Sequence, residues 1–209
     1  MAIVDGRGPR GALIAGRSCA AAGWLLWIVM QVVADDPFPP EVSVSQYGLG
    51  AFGWVFTVWA LALAAAPILL LRAAPAPGPA AALLWVGFAG AAVMAVVRTD
   101  EGGGAMSGHA QVHMVGAAVA LVFLPLGIRF ALRGAGVFTR RLCSVLVVVA
   151  AFVGTLVLLS AAGVDTAGLG APRSWALWQG TLVVLEMLLV SGHAVESGRA
   201  RIPAVGAER

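Results

Sequence analysis

The residues of this chain best suited to chemistry fall in a few places. His109 and His113 are four positions apart, so on a helix they share one face. That spacing suits two ligands of one metal ion, with Asp100 or Asp36 available as a third. The intervening Ala110, Gln111 and Val112 include no glutamate, so the His-Glu-x-x-His pattern of helical zinc proteases is missing, and ordinary interfacial hydrogen bonds are the competing use of both histidines. Without a metal, His113 and Asp100 have the makings of a general base and the carboxylate that orients it. Arg98, two positions before Asp100, could pair with it at a helix end or orient a polar headgroup. Glu186 lies within the apolar run Leu182-Val183-Val184-Leu185-Glu186-Met187-Leu188. A carboxyl in such surroundings is either protonated or paired with a polar group on another helix, for which Gln31 and Thr57 are the candidates. It is then a functional group or polar glue between helices. Tyr47 joins Asp100, His113 and Glu186 as candidate catalytic residues, and Arg98, Ser45, Trp54 and Gln179 are candidate substrate contacts.

The elements that must position these groups are set by composition. Of 209 residues, 60% are hydrophobic and 11% charged, and mean hydropathy is +0.94. A soluble domain carries about a quarter charged residues, so this chain could not clothe a water-facing surface and a bilayer is the solvent that suits it. Six segments approach the ~20 apolar residues that cross a hydrocarbon core: Ser18–Ala34, Gly48–Leu71, Ala80–Val97, His109–Phe130, Leu142–Gly163 and Ser174–His193. The first and third are short for the task. The expected fold is all-α, an integral membrane bundle of six transmembrane helices at residues 18–194, with residues 1–17 and 195–209 as cytoplasmic segments.

All thirteen basic residues are arginines, and they gather at span ends rather than along a stripe, which argues against nucleic acid as a partner. Eleven of them fall on the side of the two termini, and only Arg98 and Arg173 on the other. The positive-inside rule therefore predicts both termini in the cytoplasm of a multi-pass protein of the plasma membrane. A second reading takes the three N-terminal arginines, the apolar stretch from Cys19 to Val33 and Val32-Val33-Ala34 before Asp35 as a signal peptide with its cleavage site, leaving five spans in the same orientation. Cys19 and Cys143 should lie near the reducing face as unpaired packing residues. Pro75–Pro79 reads as a stiff connector, Gly102-Gly103-Gly104 as a flexible loop. Trp24, Trp54, Trp175 and Trp178 are placed in interfacial belts, with His193 and Arg17 at the inner interface. Polar residues of the three outer connections could converge on one site.

Two stretches carry a resemblance. Ser43-Val44-Ser45-Gln46-Tyr47-Gly48-Leu49-Gly50-Ala51-Phe52-Gly53-Trp54 opens the second span, and Arg98-Thr99-Asp100 is followed by a Gly-rich loop and His113-Met114-Val115-Gly116-Ala117. With the span layout, they resemble the Domain of Unknown Function 998 family of small bacterial membrane proteins over about Pro40 to Gly192. The matching positions are Ser45, Tyr47, Gly48, Trp54, Asp100 and His113. Val97-Arg98 replaces the Phe-Pro of the family pattern, and Gln179 is followed by Gly180 rather than Arg. The resemblance implies a six-helix fold and no reaction. Three functional classes are compatible: an enzyme or binding protein for a lipid or amphiphile at the outer leaflet, a small transporter, and a non-catalytic accessory or sensor protein. No cofactor or protein partner is named by the sequence.

Overall fold

The computed structural model describes residues 7–36, 40–74, 78–101 and 107–199. Within them the chain is helical, as it must be where lipid offers no partner for backbone N–H and C=O groups. The helices are α1 (Arg7–Ala34), α2 (Gly53–Ala73), α3 (Gly78–Val96), α4 (Gly108–Ala131), α5 (Val137–Ala161) and α6 (Ala171–Arg199). A 3-10 turn, Val44–Gly48, precedes α2, and a shorter one, Leu132–Gly134, follows α4. All six α-helices among the described residues are long and apolar enough to cross a membrane. Even α3, at 19 residues, reaches about 28 Å against a core of about 30 Å.

Polarity is arranged for lipid. Large apolar side chains such as Leu25, Val58, Phe138, Val148 and Leu158 point outward, while the interior is rich in alanine: Ala60, Ala64, Ala66, Ala91, Ala117 and Ala120 are all buried. Because lipid tails are as apolar as leucine, close backbone packing has to hold such a bundle. The α3–α4 pair shows how: a Cβ added to Gly90 would lie 2.7 Å from the Gly116 carbonyl oxygen, and one on Gly116 would lie 2.9 Å from that of Gly90. α1 packs along α2 and α6, α2 also touches α3, and α5 leans on α6.

The spans differ from the expected bounds at both ends. α1 begins at Arg7, eleven residues before Ser18, so the first helix is not short. Arg10 and Arg17 interrupt the hydropathy but not the helix. Arg17 Nε donates to the Ala194 carbonyl at 3.2 Å, tying α1 to α6. Trp24 lies within α1 and not at its end, and its Nε1 donates to Ser191 Oγ at 2.9 Å. Trp54 faces outward, as a belt residue should. α2 starts at Gly53, not Gly48, because the 3-10 turn and Gly50 at φ +75° intervene. α6 runs to Arg199, and His193, next to the Ala194 that Arg17 reaches, is buried within the bundle. Cys19 and Cys143 are free thiols. The Gly102–Gly104 run, residues 75–77 of the connector, Arg201 and Arg209 lie outside the described residues.

Candidate functional site

The connections that follow α1, α3 and α5 form one end of the bundle. There the three loops do converge. Gln46 Nε2, in the 3-10 turn, donates to the Glu101 carbonyl at 2.6 Å, linking the first connection to the second. Arg173 at the start of α6 forms an ion pair with Glu41, linking the third to the first. The turn itself is closed by a reciprocal cap, in which Ser43 N donates to Gln46 Oε1 at 2.8 Å. Gly53 permits the tight entry into α2, since a Cβ there would collide with the Gly48 carbonyl oxygen.

The predicted residues then divide into three groups. Asp100 serves the backbone: it accepts from Ser107 N at 2.8 Å and Ser107 Oγ at 2.7 Å, and Ser107 Oγ caps α4 by accepting from Ala110 N at 3.2 Å. These two bonds from Ser107 hold the Asp100 carboxyl below the ordinary range. Arg98 is exposed and makes no ion pair among the described residues, so the expected Arg98–Asp100 pair gives way to Asp100–Ser107. His113 is 1% exposed. Its Nδ1 lies 2.7 Å from the Val97 carbonyl, its ring stacks on Phe56 at 6.2 Å, and its Nε2 has no partner. His109, by contrast, is exposed. Among the described residues no three of His, Cys, Asp and Glu come together as a metal site. Asp100 and His113 thus engage different partners within the same connection.

Tyr47 forms the second group. Its hydroxyl donates to Asp36 Oδ2 at 3.3 Å, and Asp36 also accepts from the backbone N–H of Glu41 and Val42 at 2.9 and 3.1 Å. Burial first, and then the Asp36 charge, raise the Tyr47 phenol above its ordinary value. This pair stands between two open grooves. One, of about 230 Å³, runs between α1, the 3-10 turn and α2 and is lined by Tyr47, Gln46 and apolar residues including Val29, Met30 and Phe52. The other, of about 340 Å³, runs between α1 and α6 past Asp36, Trp27, Gln31, Leu177 and Thr181.

The third group lies inside. Ser45 and Gln179 are both buried, and Gln179 Nε2 donates to Ser45 Oγ at 3.1 Å. Below them is a narrow cavity of about 40 Å³, walled by Phe56, Trp59 and small residues of α3 and α4, with Glu186 at its far wall. Neither expected partner reaches Glu186. Thr57 Oγ1 donates to the Ala95 carbonyl at 2.9 Å, and Gln31 faces the α1–α6 groove. Both lie nearer the 3-10-turn end of the bundle, Thr57 level with Ala95 and Gln31 level with Leu177 and Thr181, whereas Glu186 is deeper, beside Leu63 and Leu124.

Three contributors escaped the sequence reading of the site. Asp36 was visible only as a spare ligand, and Phe56 and Trp59 are core-like residues three apart. The last two could have been found as an aromatic pair on the same face of α2 as Ala60 and Leu63. The chain has no significant match among curated proteins or among solved structures. A family model described as "Protein of unknown function (DUF998)" does match, over residues 18–196, so the match spans all six helices, and the chain belongs to that family.

Proposed function

We propose that this multi-pass protein binds a lipid or other amphiphile at the outer leaflet, with the convergent loops as the receiving end. The observation that carries this reading is the Asp36–Tyr47 hydrogen bond standing between two open, mostly apolar grooves. Ligand sites typically combine an apolar lining with a few placed polar groups, and here acyl chains would lie in the grooves while a polar head meets Tyr47, Asp36 and Gln46. The arginine distribution supports the orientation. Arg10, Arg72, Arg129, Arg133, Arg140, Arg141 and Arg199 lie toward the opposite end, and Arg98 and Arg173 at this one. Binding is favoured over acid–base catalysis by Asp100 and His113, because the Asp100 carboxylate is taken up by Ser107 rather than by His113, and the His113 ring is 1% exposed.

The test is photolabelling of the reconstituted protein with a lipid that carries a photoreactive acyl chain. Saturable labelling of residues 29–34 and 177–184, competed by unlabelled lipid and weakened by Tyr47→Phe, is the expected result. Labelling spread evenly around the bundle, and not competed, would overturn the reading.

A further inference from the structure

The chamber between the Ser45–Gln179 pair and Glu186 takes no part in the groove reading. Glu186 is 5% exposed and Gln179 6% exposed. Glu186 Oε1, Gln179 Oε1 and the indole Nε1 of Trp59 all lack hydrogen-bond partners, and all three residues line the same cavity. Its volume of about 40 Å³ accommodates two or three waters, given about 10–15 Å³ for each.

Length fits as well. Gln179 and Glu186 are seven residues apart on α6, hence on nearly the same face and about 10.5 Å apart along the axis. A file of waters with spacings of about 2.8 Å covers that distance. Ser45 and Gln179 would anchor its near end, Trp59 its side and Glu186 its far end, giving it the polar partners that buried water requires.

The other side of Glu186 is different. The gap there, bounded by Leu63, Leu124, Ile128, Leu189 and Val190, has a volume of about 0 Å³ and admits no water. Room for water therefore adjoins the carboxyl on the Gln179 side alone of these two spaces. Glu186 is also the only titratable group among the described residues lining either space. His113 stacks on Phe56, which lines the chamber, but is not itself among the lining residues, and His193, the next titratable side chain along α6, is two turns farther toward the arginine-rich end.

We propose that Glu186 is a proton-binding site in water contact with the 3-10-turn end of the bundle and closed to the arginine-rich end. On uptake, an O–H bond forms at a Glu186 carboxylate oxygen as hydronium in the file gives up its proton and becomes water. Release reverses both changes. This inference is independent of the amphiphile reading, since a protein that binds no amphiphile could still take up this proton.

The test is infrared difference spectroscopy of the protein in proteoliposomes of a single orientation. The expected result is a carboxylic-acid carbonyl band that is absent in Glu186→Gln. The band should follow the pH of the compartment facing the 3-10 turn and ignore that on the opposite side. Its exchange in D₂O should slow at least tenfold when the chamber is filled by Ala91→Leu, or by the milder Ser45→Val if the former fails to fold. A pH response without a Glu186-dependent band, a band governed by the arginine-rich side, or exchange indifferent to both fillings in folded protein would each overturn the proposal.

Discussion

Asp100 holds Ser107 by its backbone N–H and its hydroxyl at once, at 2.8 and 2.7 Å, and so fixes where α4 begins. Ser107 is the N-cap that satisfies Ala110 N–H, one of the donors that a helix start leaves open. Losing such a cap costs about 1 kcal/mol. Ser107→Ala is therefore expected to lower the thermal unfolding midpoint in detergent measurably, with Asp100→Asn lowering it less. In the Ser107→Ala background Asp100→Asn should cost less than it does alone, because the hydroxyl bond is already gone and only the backbone N–H bond remains. Fully additive losses would mean that the Ser107 hydroxyl contributes nothing to the role of Asp100.

The α3–α4 contact gives a sharper prediction. Gly90 and Gly116 face each other's carbonyl oxygens, so a branched side chain at either forces the helices apart. Overpacking of this kind costs about 1–3 kcal/mol. Gly116→Val should reduce monodisperse yield and shift unfolding to lower temperature, whereas Gly192→Ala, where an added Cβ meets nothing within 4 Å, should be neutral or slightly stabilising. Size-exclusion profiles and melting curves compare the two directly. Equal behaviour would show that this interface is looser than its glycine contact.

These cases indicate what was legible in the residues beforehand. Spans follow from hydropathy, because a bilayer imposes length and composition together, and Glu186 stood out because a carboxyl among Val, Leu and Met is costly. Convergence of the three loops followed from alternating direction alone. The identity of contacts did not. Thr57 meets the Ala95 carbonyl and not Glu186 because it lies six residues nearer the start of α2 than Leu63, which is the residue beside Glu186, and approximate span bounds do not fix which levels of two helices meet. α1 was truncated for the opposite reason: Arg10 and Arg17 lower hydropathy without disturbing helical hydrogen bonding.

Asp165 predicts a pH response of the connection into α6. It accepts from Ser174 Oγ at 2.7 Å and Gly170 N at 2.9 Å, with further N–H groups of Ala167 and Leu169. The Ser174 and Gly170 bonds are the main reason its carboxyl is lowered from 3.8 to about 2. A lowered carboxyl stabilises the folded loop above its unfolded value, and that contribution disappears as pH falls from about 4 towards 2. Trp178 reports on this, since its Nε1 donates to Thr166 Oγ1 at 2.8 Å in the same loop. Tryptophan emission should change across this acid range in wild type, and the component should be missing in Asp165→Asn. A transition retained in that variant would assign it to other carboxyls.

Tyr47 is the only tyrosine in the chain, so its ionisation can be followed by ultraviolet difference absorbance without competing phenols. Burial and the neighbouring Asp36 charge both favour the neutral phenol and place its titration above the ordinary value of 10. Asp36→Asn removes the charge while keeping an oxygen to accept the hydroxyl at 3.3 Å. The titration should then move down, though not fully to 10, because burial persists. The linkage has a definite sign: a raised phenol contributes stability below its unfolded value, and that stability is lost as pH rises through the folded one. The stability lost through this tyrosine on going alkaline should accordingly be smaller in Asp36→Asn than in wild type. If the tyrosine titration does not move, the Asp36–Tyr47 bond is not formed in the membrane, and the amphiphile reading loses the pair that separates its two grooves.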